Sequence, residues 1–271
     1  MAFFIGNSFC KLCQKNEEQL ENELFYCTKG LINKGYSIIK NTLNSARLPS
    51  CDHFYVTYFK NNIWTSDIKV LKINIKDCCN NHEHPTNDVE VDKDEILLHT
   101  KIYQARPDVN AICHTRNPYS IILDNDTFKR VHGEATLILG DIPIIDIDNF
   151  SDENRTRSFI EKIVQSTIGE PLRPIRTVIL SKNSVLALGS CIHEARAFTE
   201  ILEECARFYM ISKIFGGPIN LLTLDQLRGL GSRYARAIKF GGRQIMSNAN
   251  HLDDRINKIF ENDAKKNSSF W

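Results

Sequence analysis

Glu95 and His99 stand four residues apart in a segment with helical periodicity, so they share one helix face, and His114 closes a short apolar run that reads as a strand. A carboxylate and two imidazoles gathered at one edge of a sheet could move a proton or hold a metal, because sites collect where elements end. Two residues beyond His114 stands Arg116, where a second imidazole would make an H-x-H ligand pair. Arginine stays protonated and has no lone pair to give, so it would repel a dication as well as fail to bind it. Taken pair by pair, the plainer account is surface polar residues around a satisfied buried histidine.

A second group of candidates is the CxxC of Cys10 and Cys13. Zinc would need a second ligand pair, and Cys78, Cys79, His82 and His84 lie far along the chain at no standard spacing. Nine cysteines, an odd number at irregular positions, do not form a disulfide framework, and thiols are expected.

The elements that must position these residues can be read from periodicity. Leu20, Leu24, Cys27 and Leu31 predict an amphipathic helix over residues 16–40 that fades near Gly35. The segments 53–59 and 68–75 read as strands around an Asn61-Asn62 turn, and 76–94 has loop composition. Helical spacing returns over 95–105 and stops at Arg106-Pro107-Asp108. A strand at 110–115 follows, then a connecting region over 135–145, a helix near 151–167 and a hairpin. The hairpin's arms are Thr177 to Leu180 and Val185 to Leu188, with Ser181 to Ser184 as its turn. A long helix at about 192–213 presents Ala195, Phe198, Leu202, Cys205 and Tyr209 on one face. Thr223 and Gln226 then stand in capping-box spacing ahead of a second C-terminal helix.

With 34 Lys and Arg against 33 Asp and Glu, the net charge of +1 gives no footprint for nucleic acid. No apolar run is long enough to span a bilayer, and the opening residues do not form a secretory signal, so a cytoplasmic protein is expected. The organisation read from the sequence is an N-terminal extension over 1–17, one domain over 18–216 and a helical extension with a tail over 217–271.

The segment DEILLHTKIYQARPDVNAICHTRNP resembles the class II aldolase and adducin family. In that family an acid opens a helix, a histidine follows four later, and Y-x-x-R-P-D leads to a strand ending in H-x-H. Glu95, His99, Tyr103, Arg106, Pro107, Asp108 and His114 stand at the matching places. The segments NTLNSARLPSCDHFYVT and VILSKNSVLALGS are similar to the family's phosphate-binding segment and its last hairpin. The resemblance implies an α/β fold with a single mixed, largely antiparallel central sheet flanked by helices in three layers. It also implies a zinc ion on three histidines, with Glu95 at the position of the proton-transferring acid.

The chain departs from that pattern at the ligands. His114 is retained, Arg116 replaces the second histidine, and Asn183 aligns with the third. Ser45 and Arg47 remain from the phosphate cradle and, with Arg116, are the candidate anion-binding residues. Lys93 and Asp94 replace a serine pair, and Asp94 would oppose a phosphate. Without a Lewis acid, a carbanion loses several kcal/mol of stabilisation, so Glu95 is expected to be vestigial and no cofactor is expected; Arg116 either pairs with Glu95 across the metal position or points into solvent, since exposed pairs contribute little. The function implied is a catalytically inactive, adducin-like module that forms homo-oligomers and binds the actin and spectrin cytoskeleton at the inner face of the plasma membrane. Direct actin capping is doubtful, since adducins carry a neck and long basic tail and here Lys265 and Lys266 follow the second helix. The alternative is a zinc-dependent aldolase or epimerase acting on a small sugar phosphate, with His99 or His132 recruited as ligands.

Overall fold

A computed structural model of the chain describes residues 16–36, 43–59, 68–76, 92–123, 132–133, 135–139, 142–146, 152–165, 175–180, 184–216, 222–223 and 225–230. Seven strands form one sheet: β1 (Asn44–Ala46), β2 (His53–Phe59), β3 (Ile68–Asn74), β4 (Ala111–Thr115), β5 (Ile144–Ile145), β6 (Thr177–Leu180) and β7 (Ser184–Gly189). Their order is β3-β2-β1-β4-β7-β6-β5. Every neighbouring pair is antiparallel except β5 with β6.

Four helices cover the sheet: α1 (Glu17–Asn33), α2 (Lys93–Ala105), α3 (Glu153–Gln165) and α4 (Ile192–Ile214). The strict alternation of β-strand side chains sends them to two separate cores. Ala46, Tyr55, Cys113 and Ala187 pack with Leu24 and Leu31 of α1 and with Phe198 and Leu202 of α4. Phe54, Val56, Ile112 and Leu186 pack on the other face with Leu98 and Ile102 of α2 and Phe159 and Ile163 of α3. Helices on both faces of one mixed sheet make the expected three layers.

The helix signals act as their chemistry dictates. Asn16 and Gln19 bond each other's backbone N–H, a reciprocal cap that starts α1. Asp92 accepts the N–H groups of Asp94 and Glu95, so α2 begins at Lys93, two residues before its apolar periodicity shows. Where α2 ends, Arg106 grips Asp108 through two short bonds and donates to the carbonyls of Ile163 and Ile175, which ties the helix end to α3 and to the entry of β6. Gly189, at the turn from β7 into α4, has no room for a side chain: a Cβ there would stand 2.5 Å from the Ala195 backbone nitrogen.

Three expectations change. Residues 44–46 form β1, a central strand, within the segment that the sequence offered as a phosphate-binding stretch and not as a strand. The connecting region contains a π-helical turn, Ala135–Leu139, and the short strand β5. Ser184 belongs to β7, paired with Leu180, so the hairpin turn comprises 181–183. That turn lies outside the described residues, as do the Asn61-Asn62 turn, Cys10, Cys13, Cys78, Cys79, His82 and His84. Thr223 and Gln226 cap one another ahead of a helical stretch at 225–230, and the remainder of the expected second helix also lies outside the described residues. No helix among the described residues is long and apolar enough to cross a membrane.

Candidate functional site

Glu95, His99 and Tyr103 occur at every fourth position of α2, so they form one stripe down the helix face that lies against the sheet. All three are buried. Opposite them stand Ser45 of β1, His114 of β4 and Ser184 of β7. The stripe crosses an otherwise apolar core, so its polar groups need partners within the protein.

At its inner end those partners are complete. The Ser45 hydroxyl lies 2.8 Å from both Nδ1 of His99 and the hydroxyl of Tyr103. Arg47 stacks its guanidinium 4.6 Å from the centre of the Tyr103 ring and donates to the carbonyls of Val109 and Arg106. The two anion-binding candidates that precede β2 are therefore already engaged: Ser45 is fully buried and Arg47 is 8 % exposed.

The outer end is looser. Oε2 of Glu95 accepts the Leu43 N–H and lies 3.7 Å from Nδ1 of His114, beyond hydrogen-bond length. Nε2 of His114 is bonded to the Ser184 hydroxyl at 2.7 Å. Nε2 of His99, Nδ1 of His114 and Nε of Arg116 are buried without a hydrogen-bond partner among the described residues. The His99 and His114 rings are 5.9 Å apart at an interplanar angle of 38°.

Burial sets the protonation states. It pushes the Glu95 carboxyl well above the usual range, with a further push from Asp92, while the Leu43 N–H and the Arg116 charge pull the other way. Burial holds His99 well below the usual imidazole value, and burial and then Arg116 push His114 down to about 3. Both imidazoles are neutral at pH 7. The Glu95–Arg116 ion pair, one of the two expected arrangements of Arg116, is not formed: Glu95 stands 3.7 Å from His114, and Arg116 acts on the carboxylate only through space. Arg116 donates its own backbone N–H to the carbonyl of Tyr36.

His132 is not at the site. Its ring stacks 5.8 Å from that of Phe208 on α4, and its Nδ1 accepts the Ala135 N–H, so its partners belong to the α4 layer. Asn183 lies outside the described residues. Ser184 is the partner that sequence reasoning missed. The signal was present in the hairpin, because Leu186 pairs with His114 across β4 and β7 and Ser184 shares its face two residues away.

A zinc ion needs three or four lone-pair donors at one point. Among the described residues no three His, Cys, Asp or Glu side chains are placed to hold a cation. His99 and His114 each spend one nitrogen on a serine hydroxyl, and Arg116 brings positive charge to the second ligand position. The residues present do not fit a three-histidine zinc centre.

The family described as class II aldolase and adducin N-terminal domain matches residues 22–210. The chain belongs to this family. It is 29% identical over 119 residues to an L-fuculose phosphate aldolase of Methanococcus maripaludis, a match covering 43% of this chain and 60% of that protein. It is 25% identical over 180 residues to human (Homo sapiens) beta-adducin, covering 64% of this chain but 24% of the adducin. The chain thus spans less than two thirds of the length of either relative. Among solved structures, an aldolase II superfamily protein from Pseudomonas syringae superposes with a TM-score of 0.64 at 15% identity, over 94% of this chain and 96% of that one. An L-fuculose 1-phosphate aldolase from Glaciozyma antarctica PI12 gives 0.56 at 17% identity, over 90% and 87%. At these identities the structural likeness concerns the fold alone.

Proposed function

We propose that this chain is a catalytically inactive, adducin-like member of the family that works as an oligomerising, cytoskeleton-associated binding module. The observation that carries the reading is the arrangement around His114. Its Nε2 is committed to Ser184, its neighbour at the ligand pair is a fixed cation, and Glu95 is held toward the protonated form in an apolar setting. Glu95 could take or give a proton, but no set of ligands among the described residues would hold the Lewis acid that stabilises the carbanion in aldol cleavage, a contribution worth several kcal/mol and so several powers of ten in rate. The partner class in this reading is the actin and spectrin network, the location is the cytoplasm beneath the plasma membrane, and the chain pairs with copies of itself.

The test has two arms. Protein purified without chelators should carry no stoichiometric zinc and should not cleave sugar phosphates; zinc that disappears in His114→Ala, or turnover, would overturn inactivity. Co-sedimentation with actin filaments and spectrin, with light scattering for the mass of the particle, tests the binding role, which fails if neither polymer retains the protein. A second reading draws on the contact between Glu95 and His114, an acid and a ligand type side by side. It is a zinc-dependent aldolase or epimerase for a small sugar phosphate with an altered ligand set, and the same zinc and turnover measurements would establish it.

A further inference from the structure

The last turns of α4 carry a stripe that the described fold covers only in part, and least at its far end. Phe208 and Ile211 are 39% and 38% exposed, and Ile214 and Phe215 are 77% and 83% exposed. They recur at helical spacing, so they make one continuous apolar strip about 10 Å long. Arg207 and Lys213 flank it, both on the exposed side of the helix. A contiguous apolar strip with a charged border marks a surface that another element occupies.

The course of the chain names that element. After α4 the backbone returns along the same layer: Leu227 is fully buried, and Leu230 packs so closely on Gly133 that a Cβ there would meet it at 2.5 Å. Gly133 adjoins His132, whose ring stacks on Phe208. The described chain therefore ends at 230 beside the near end of the stripe, with residues 231–271 still to follow. Within them Leu252, Ile256, Ile259 and Phe260 recur at i, i+4, i+7 and i+8, the spacing of a single helical face. Asp253 and Arg255 border that face, one charge of each sign, so its apolar residues and not its charge fit it to the stripe.

We infer that residues 252–260 dock as an amphipathic segment along the stripe of Phe208, Ile211, Ile214 and Phe215, closing the end of α4 from within the same chain. A second copy would need to bring its own apolar face to this spot. The downstream segment is tethered next to it through residues 231–251, so its docking is a first-order event that needs no second molecule.

Hydrogen exchange on the full chain decides the matter. In the double variant Ile256→Asp/Ile259→Asp, the amides of 208–215 should exchange about tenfold faster, those of β4 and β7 should be unchanged, and the particle mass should not move. Phe215→Ser should reciprocally speed exchange over 252–260. Equal exchange over 208–215 in the wild type and the double variant overturns the docking. So does protection that rises with protein concentration and falls together with the mass in Phe215→Ser, which would identify a second copy as the occupant.

Discussion

The two ends of the α2 stripe each bring a serine, a histidine nitrogen and an arginine together, and do opposite things with them. At the inner end, Ser45, Tyr103 and Arg47 close on one another and on nearby carbonyls. At the outer end, Glu95 and His114 stand 3.7 Å apart, with unbonded nitrogens on His99, His114 and Arg116. Each end contains one arginine. Arg47 is buried with bonds to backbone carbonyls, whereas Arg116 is half-buried and influences its neighbours by charge alone. The difference separates a closed polar cluster that ties α2 to β1 from a corner whose described groups are buried but not fully bonded.

The sharpest way to break this comparison is Arg47→Ala. The change removes charge-assisted bonds to Val109 and Arg106 and the stacking on Tyr103; the Arg106 carbonyl keeps the Val109 N–H, but the Val109 carbonyl loses its arginine donor. A loss of about 3 kcal/mol is expected in urea unfolding at pH 7. If Arg47→Ala costs no more than Arg116→Gln, the inner end is not the structural one.

Next in size is the response to acid. The folded-state values of His99 and His114 are depressed, so their contribution to stability is complete above the unfolded imidazole value of about 6.5 and is lost as pH falls toward the folded values. Between about pH 6 and 4 each histidine should steepen the loss by up to about 1.4 kcal/mol per pH unit. His114→Gln should flatten that slope. Glu95 has the opposite sign. Its folded value is raised, so its contribution is complete below about 4.3 and declines as pH rises through the window above. Glu95→Gln should therefore be better tolerated at pH 7 than at pH 4, as read from thermal melts at both values. Tyr103→Phe, which removes only one hydroxyl from the closed end, should cost about 1 kcal/mol at any pH in that range.

Much of this was legible in the sequence where a pattern ran long enough to repeat. The faces of α1 and α4, the two long strands β2 and β3 and the hairpin all follow from periodicity, and the family motif placed Glu95, His99 and His114 on the right elements. What escaped was short or depended on partners distant in the chain. β1 is three residues without a β-branched side chain, and its place in the sheet comes from pairing with β2 and β4 and not from propensity. Ser45 and Arg47 read as anion ligands because their type and spacing match a phosphate cradle. Only the approach of Tyr103 and Val109, remote in sequence, shows that both are already bonded. The Glu95–Arg116 pair failed for a related reason: charge suggested attraction, but the strand directs His114 toward the carboxylate, leaving Arg116 just beyond the strand's end.

The finest test concerns that last arginine. Arg116 makes no ion pair with Glu95, yet its charge favours the ionised carboxylate and disfavours protonation of His114. Replacing it with glutamine removes a half-buried charge from the edge of the core, so stability at pH 7 should change by no more than about 0.5 kcal/mol. The titrations should shift in a common direction. Glu95 should titrate still higher, because it loses the one nearby cation that favours its anion, and His114 should also rise, because it loses a like charge. Side-chain NMR of the two groups reads both. If neither value moves, Arg116 does not reach the corner electrostatically, and its presence at the second ligand position says nothing about why the metal set is incomplete. If both rise while the fold holds, the arginine supplies at that position a fixed positive charge and no more, which a dication in the family's arrangement would otherwise supply together with a ligand-binding site.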